Sequence, residues 1–123
     1  MRTERRAVAR FQVKLVVQIS MDDYCFEATS KEVSLHGLRI ICEGPVANKI
    51  FNRYIQVTPG ENIAADIQIK IPKANGLADT LCCQTRMISV NRVSQSSYEV
   101  GFNIMEFDNN AQELWQNYIL TKH

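Results

Sequence analysis

Two histidines, three prolines, five glycines and one tryptophan are all that the 123 residues hold of those types. His36 is the sole internal histidine, so a nucleophile–base–orienter arrangement has almost no choice of base, and no catalytic constellation stands out. The few glycines form no phosphate-cradling loop of the P-loop or dinucleotide type. Four cysteines are present (Cys25, Cys42, Cys82 and Cys83), but none forms a CxxC pair, which argues against a zinc site. They read instead as reduced thiols of a cytoplasmic protein. No apolar run approaches the roughly 20 residues of a membrane span, and no apolar h-region follows the charged N-terminus as in a secretory signal. Charge of one sign is also missing: 14 Lys and Arg against 13 Asp and Glu leave a net charge of +1. A bulk electrostatic grip on a nucleic-acid polymer or a membrane is therefore not expected. Metal and cofactor are expected to be absent, and the chain is not read as an enzyme.

The chain has an ordinary apolar fraction of 46%, enough for one domain with a real core. Its charge is unevenly distributed. Residues 1–14 carry Arg2, Arg5, Arg6, Arg10 and Lys14 against Glu4, a net +4, so the remaining residues sum to −3. A basic arm on a mildly acidic body suits a small anionic ligand.

Most of the sequence alternates. Phe11, Val13, Leu15, Val17 and Ile19 are apolar at every second position, the pattern of a half-buried strand. Asp22-Asp23 marks a turn, with Tyr24–Thr29 returning. Val33–Cys42 reads as a third strand interrupted by Gly37. Ile63 to Ile71 alternate up to Pro72, Asn75-Gly76 marks another turn, and Leu81–Val90 follows. Tyr98, Val100, Phe102 and Ile104 complete a set of six strands, with Gly101 marking a bend or close approach. Short turns and period two point to an antiparallel barrel or sandwich. After Asp108-Asn109, with Asn109 and Gln112 spaced as a capping box, the period changes. Ala111, Leu114, Trp115, Tyr118 and Ile119 line one face of a helix over about 109–122, expected to close the core. Gly44–Asn62 fits neither pattern. Within it Ala47–Ile55 reads as a short helix, either a cap over the barrel mouth or an insertion.

Two motifs carry chemistry. Arg5, Arg6 and Arg10 lie directly before the first strand, and guanidinium forks suit both phosphate oxygens and the guanine O6/N7 edge. Further on, Glu32 and Ser34 are two residues apart on one strand face, followed by Gly37. A carboxylate accepts from guanine N1 and N2 protons, and a hydroxyl donates to phosphate.

In this order the motifs resemble those of the PilZ family of cyclic di-GMP receptors, RxxxR followed by [DN]xSxxG. Arg6 and Arg10 match the first, with Arg5 as the frequent extra arginine, and Ser34 and Gly37 match the second. Tyr98-Glu-Val-Gly-Phe, Phe107 and the helix with Leu114 are similar to the family's close. Glu32 departs from the family's Asp or Asn by one methylene. The resemblance implies an all-β fold, a six-stranded antiparallel split barrel with a C-terminal helix. Residues 1–10 would be a ligand-binding arm, mobile without ligand and fixed with it, and 11–123 the barrel with its helix. It also implies a cyclic di-GMP receptor holding phosphates and guanine edges with Arg6 and Arg10, guanine with Glu32, and phosphate or the base beside it with Ser34. Gly37 would allow close packing. Arg5 would retain a second ligand of an intercalated cyclic di-GMP dimer, and a downstream protein would read the change of shape. The alternative is a PilZ-like adaptor that acts through protein contacts without the nucleotide. A barrel for single-stranded nucleic acid needs aromatics on an exposed strand face, and most here fall on apolar faces, in 44–62 or in the helix.

Overall fold

The computed structural model describes residues 9–22, 24–56 and 63–122. Six strands are joined in the order β1 (Val16–Met21), β2 (Tyr24–Ser34), β3 (Gly37–Glu43), β4 (Ile63–Pro72), β5 (Ala78–Ser94) and β6 (Ser97–Phe107). Helix α1 (Gly44–Ile55) lies between β3 and β4, and α2 (Ala111–Leu120) follows β6. Every pairing is antiparallel, and the sheet closes as a barrel in the order β1-β2-β3-β6-β5-β4.

The alternation read from the sequence is the barrel's inner lining. Val17, Ile19 and Met21 on β1 face inward beside Ile63, Ala65, Ile67, Ile69 and Ile71 on β4. Val33 on β2, Leu38, Ile40 and Cys42 on β3, Leu81, Cys83 and Met87 on β5, and Val100 and Phe102 on β6 line it further. Each fully buried aliphatic side chain contributes roughly 1.5–3 kcal/mol, so this lining dominates the fold's stability. Cys82 and Cys83 point to opposite faces, with Cys83 in the core and Cys82 only partly covered.

Helices close both ends. Gly44 takes φ +70°, which turns the chain off β3, and Pro45 then starts α1. The helix begins three residues before the expected Ala47. Its Ala47 and Ile50 are fully buried, Phe51 stacks on Tyr98 at 5.0 Å, and Arg53 Nε donates to Asp22 in the β1–β2 turn at 3.1 Å. Helix α1 is therefore a cap over one barrel mouth, and residues 57–62 of the segment lie outside the described residues. At the opposite end α2 inserts Ala111, Trp115 and Ile119. The expected capping box is not formed. Asn109 adopts a left-handed φ of 49°, Asn110 occupies the cap position without a side-chain bond, and the Asp108 carboxylate accepts from Gln84 Nε2 at 2.9 Å.

The strands β2, β5 and β6 run longer than the sequence expectation, and two further differences bear on the site. The first strand is regular only from Val16. Before it, Phe11 exchanges both backbone hydrogen bonds with Val33 at 2.8 Å, and Ser30 Oγ accepts from Leu15 N and donates to Val13 O. A bulge at Lys31 interrupts the β2–β3 ladder, and on the other edge of β2 the Ser30 hydroxyl satisfies backbone groups of the chain leading into β1. The third expected strand is in fact a hairpin turn and its second arm. Ser34 pairs with Gly37, so Leu35-His36 is a two-residue loop between β2 and β3.

Candidate functional site

The β2–β3 hairpin, the residue preceding Phe11 and the outer face of β6 meet on one side of the barrel. Val33 points into the core, so Glu32 and Ser34 on either side of it face outward together. The Phe11–Val33 bridge then carries Arg10 alongside Glu32. The Arg10 Nη1 to Glu32 Oε1 distance is 4.0 Å, although 22 positions separate the two residues in sequence. Thus Arg10, Glu32, Ser34 and Gly37 gather at one hairpin. Arg5 and Arg6 lie outside the described residues.

Gly37 has a structural duty. A Cβ on it would sit 2.3 Å from the backbone oxygen of Phe102 on β6, a contact no side chain tolerates. The glycine therefore lets β3 approach β6 at the hairpin. The loop is also clamped from two sides: Ile104 N donates to His36 O at 2.8 Å, and Trp115 Nε1 donates to Ser34 O at 3.1 Å. The second bond fixes the backbone of the motif serine to the closing helix. Among the described residues its hydroxyl makes only a long 3.5 Å contact to Gly37 O, and so keeps donor capacity for a ligand.

Three residues that the motif reading passes over, Arg39, Glu99 and Lys31, complete the cluster. Arg39, the register partner of Glu32 on β3, places Nε 3.8 Å from Glu32 Oε1 and Nη1 3.5 Å from Glu99 Oε2. Glu99 Oε1 in turn lies 3.5 Å from Lys31 Nζ. Among the described residues, three cations (Arg10, Lys31 and Arg39) and two carboxylates (Glu32 and Glu99) therefore form one network joining Arg10 to β2, β3 and β6, with one net positive charge. Arg39 was legible in principle: once Leu35-His36 is a turn, period two puts Gly37, Arg39 and Ile41 on the outer face, opposite Glu32. Reading Val33–Cys42 as one strand hid that pairing.

Among the described residues no three His, Cys, Asp or Glu side chains gather as a metal site, and no helix is long and apolar enough to cross a membrane.

The chain matches the PilZ domain model over residues 4–121. No curated protein matches it significantly. Among solved structures it is similar to the Bacillus subtilis inhibitor of motility MotI/DgrA, with a TM-score of 0.74 and 14% identity. That likeness covers 99% of this chain and 53% of the other, so the chain spans about half the length of MotI/DgrA. It is similar also to the PilZ domain of Escherichia coli YcgR with c-di-GMP (TM-score 0.62, 14% identity, 96% of this chain and 91% of that one). The PilZ domain of CeSA from a cellulose-synthesizing bacterium matches with a TM-score of 0.54 at 13% identity, over 94% and 99% of the two chains.

Proposed function

This chain belongs to the PilZ domain family, and we propose that it is a cytoplasmic, non-enzymatic receptor for cyclic di-GMP that passes the signal to a downstream protein. The observation that carries the reading is the meeting of Arg10 with Glu32 beside Ser34, at the hairpin where the family's two motifs converge. The YcgR domain of like fold, whose structure includes c-di-GMP, supports it. On this reading Arg6 and Arg10, with Arg5, grip phosphates and guanine edges. Glu32 accepts from guanine N1 and N2, and Ser34 donates to phosphate or to the base beside it. Charge-assisted bonds of about 1.5–3 kcal/mol each offset the backbone cost of about 1–2 kcal/mol for each arm residue ordered on binding. The arm laid over the ligand is the new surface that a partner reads. Three arginines supply positive charge enough to hold the four phosphates of two stacked ligands, with Arg5 retaining the second.

One observation favours a second reading, an adaptor that does not bind the nucleotide. Glu32 stands where the family has Asp or Asn, and both Arg10 and Arg39 already engage it. Titration of the protein with cyclic di-GMP by calorimetry separates the two. The receptor reading expects saturable heat that GMP does not reproduce; absence of binding leaves the adaptor.

A further inference from the structure

A glutamate on an exposed strand has three side-chain torsions to restrict before its carboxylate can recognise anything, one more than aspartate. Both ion pairs of Glu32 among the described residues run to Oε1, from Arg10 Nη1 at 4.0 Å and Arg39 Nε at 3.8 Å. Arg39 is itself held from behind. A second guanidinium nitrogen, Nη1, faces Glu99, whose side chain is only 14% exposed and also engages Lys31. Its stem crosses the bare backbone of its β6 register partner Gly101, with Cγ 3.9 Å from where a Cβ would stand. The order Glu99–Arg39–Glu32 thus runs from the least exposed charge toward the ligand motif.

We infer that Arg39 is a positioning residue for base recognition: it holds one carboxylate oxygen of Glu32 in place, so that the group can receive adjacent N–H donors of a guanine. The inference rests on the receptor reading and deepens it. It also gives the extra methylene of Glu32 a purpose, since an aspartate would retract the carboxylate by about 1.5 Å, one C–C bond, and lose Arg39.

Arg39→Met keeps the stem over Gly101 and removes the cation. Calorimetry with cyclic di-GMP should show affinity lower by about fivefold, the upper end for one exposed ion pair. In a Glu32→Asp background, where the carboxylate remains but no longer reaches Arg39, the same substitution should cost less than about twofold. Glu99→Gln, which loosens Arg39 from behind, should weaken binding in the same direction. Cyclic di-IMP, whose bases lack the exocyclic amine, serves as the second probe, and the parent's preference for cyclic di-GMP over it should shrink in Arg39→Met. An equal loss in both backgrounds would mean that Arg39 touches the ligand directly and would overturn the positioning role. An unchanged Arg39→Met with a binding parent would overturn it while leaving the receptor reading intact. A parent that binds neither dinucleotide would overturn both.

Discussion

The two glycines on the β3–β6–β5 wall offer a test of which contacts set this barrel's geometry. In Gly37→Ala the new Cβ meets the Phe102 carbonyl oxygen at 2.3 Å, and the obstacle is backbone inside a closed ladder. Relief requires β3 to move from β6, which strains the Ser34–Gly37 hairpin and its bonds to α2 and β6. Overpacking of this kind costs typically 1–3 kcal/mol, and a rigid obstacle puts this case at about 3. In Gly101→Ala the Cβ meets Ser89 Oγ at 2.6 Å, the end of a short side chain that can rotate away. That cost is partly offset by the about 0.4–1 kcal/mol that alanine contributes by restricting the unfolded chain, leaving a net change below about 1 kcal/mol. For a chain of this size 1 kcal/mol moves the thermal midpoint by about 3–5 °C. Gly37→Ala should therefore melt about 10 °C below the parent, and Gly101→Ala within about 4 °C of it, by circular dichroism checked against urea midpoints. Adding Ser89→Ala should bring Gly101→Ala back toward the parent, since it removes the only contact under 3 Å. If Gly37→Ala melts with the parent, the close β3–β6 approach is not what demands the glycine, and its place in the motif must be owed to the ligand alone.

Arg10→Ala should weaken cyclic di-GMP binding at least about tenfold, the loss of one charge-assisted bond, while stability stays within about 0.5 kcal/mol because the side chain is exposed; undiminished binding would refute the proposed site. If Arg5 stacks on a guanine, a contact worth about 0.5–2 kcal/mol, calorimetry should give about two ligands per chain, falling toward one in Arg5→Leu; a parent ratio of one would refute the paired ligand. Iodoacetamide should modify exposed Cys25 promptly in the native protein and leave buried Cys42 and Cys83 untouched until the chain unfolds; equal rates at all three would contradict the barrel's packing. Burial pushes both buried thiols up from 9.0 to about 12. From pH 9 to about 12 the unfolded chain gives up these protons while the native one keeps them, so stability should fall by roughly 1.4 kcal/mol per pH unit per thiol. Urea midpoints that rise with pH across this window would show the sign to be wrong.

Periodicity by itself determined which side chains are inside. The odd-numbered run from Leu15 to Ile19 and the set from Ile63 to Ile71 are buried, and so are Trp115 and Ile119 on the helix face. Burial of one face is written into every second or every third to fourth residue, so a local pattern suffices. The arginine pair and the Glu32–Gly37 motif were likewise visible as residue types at fixed spacings. Only the tertiary structure decided what stands beside what. A turn at Leu35-His36 rather than a kink at Gly37 makes Arg39 the partner of Glu32. The bridge of Phe11 to Val33 brings Arg10 to the same carboxylate, and α2, following β6 at the end of the barrel where the hairpin turns, holds Ser34. The bulge at Lys31 and the register shifts along β5 and β6 reset which outward residues face each other. Register is a property of two strands at once, and a slip of one residue turns a side chain to the other face. The charged cluster therefore depends on pairings between segments far apart in sequence, which no single segment's pattern encodes.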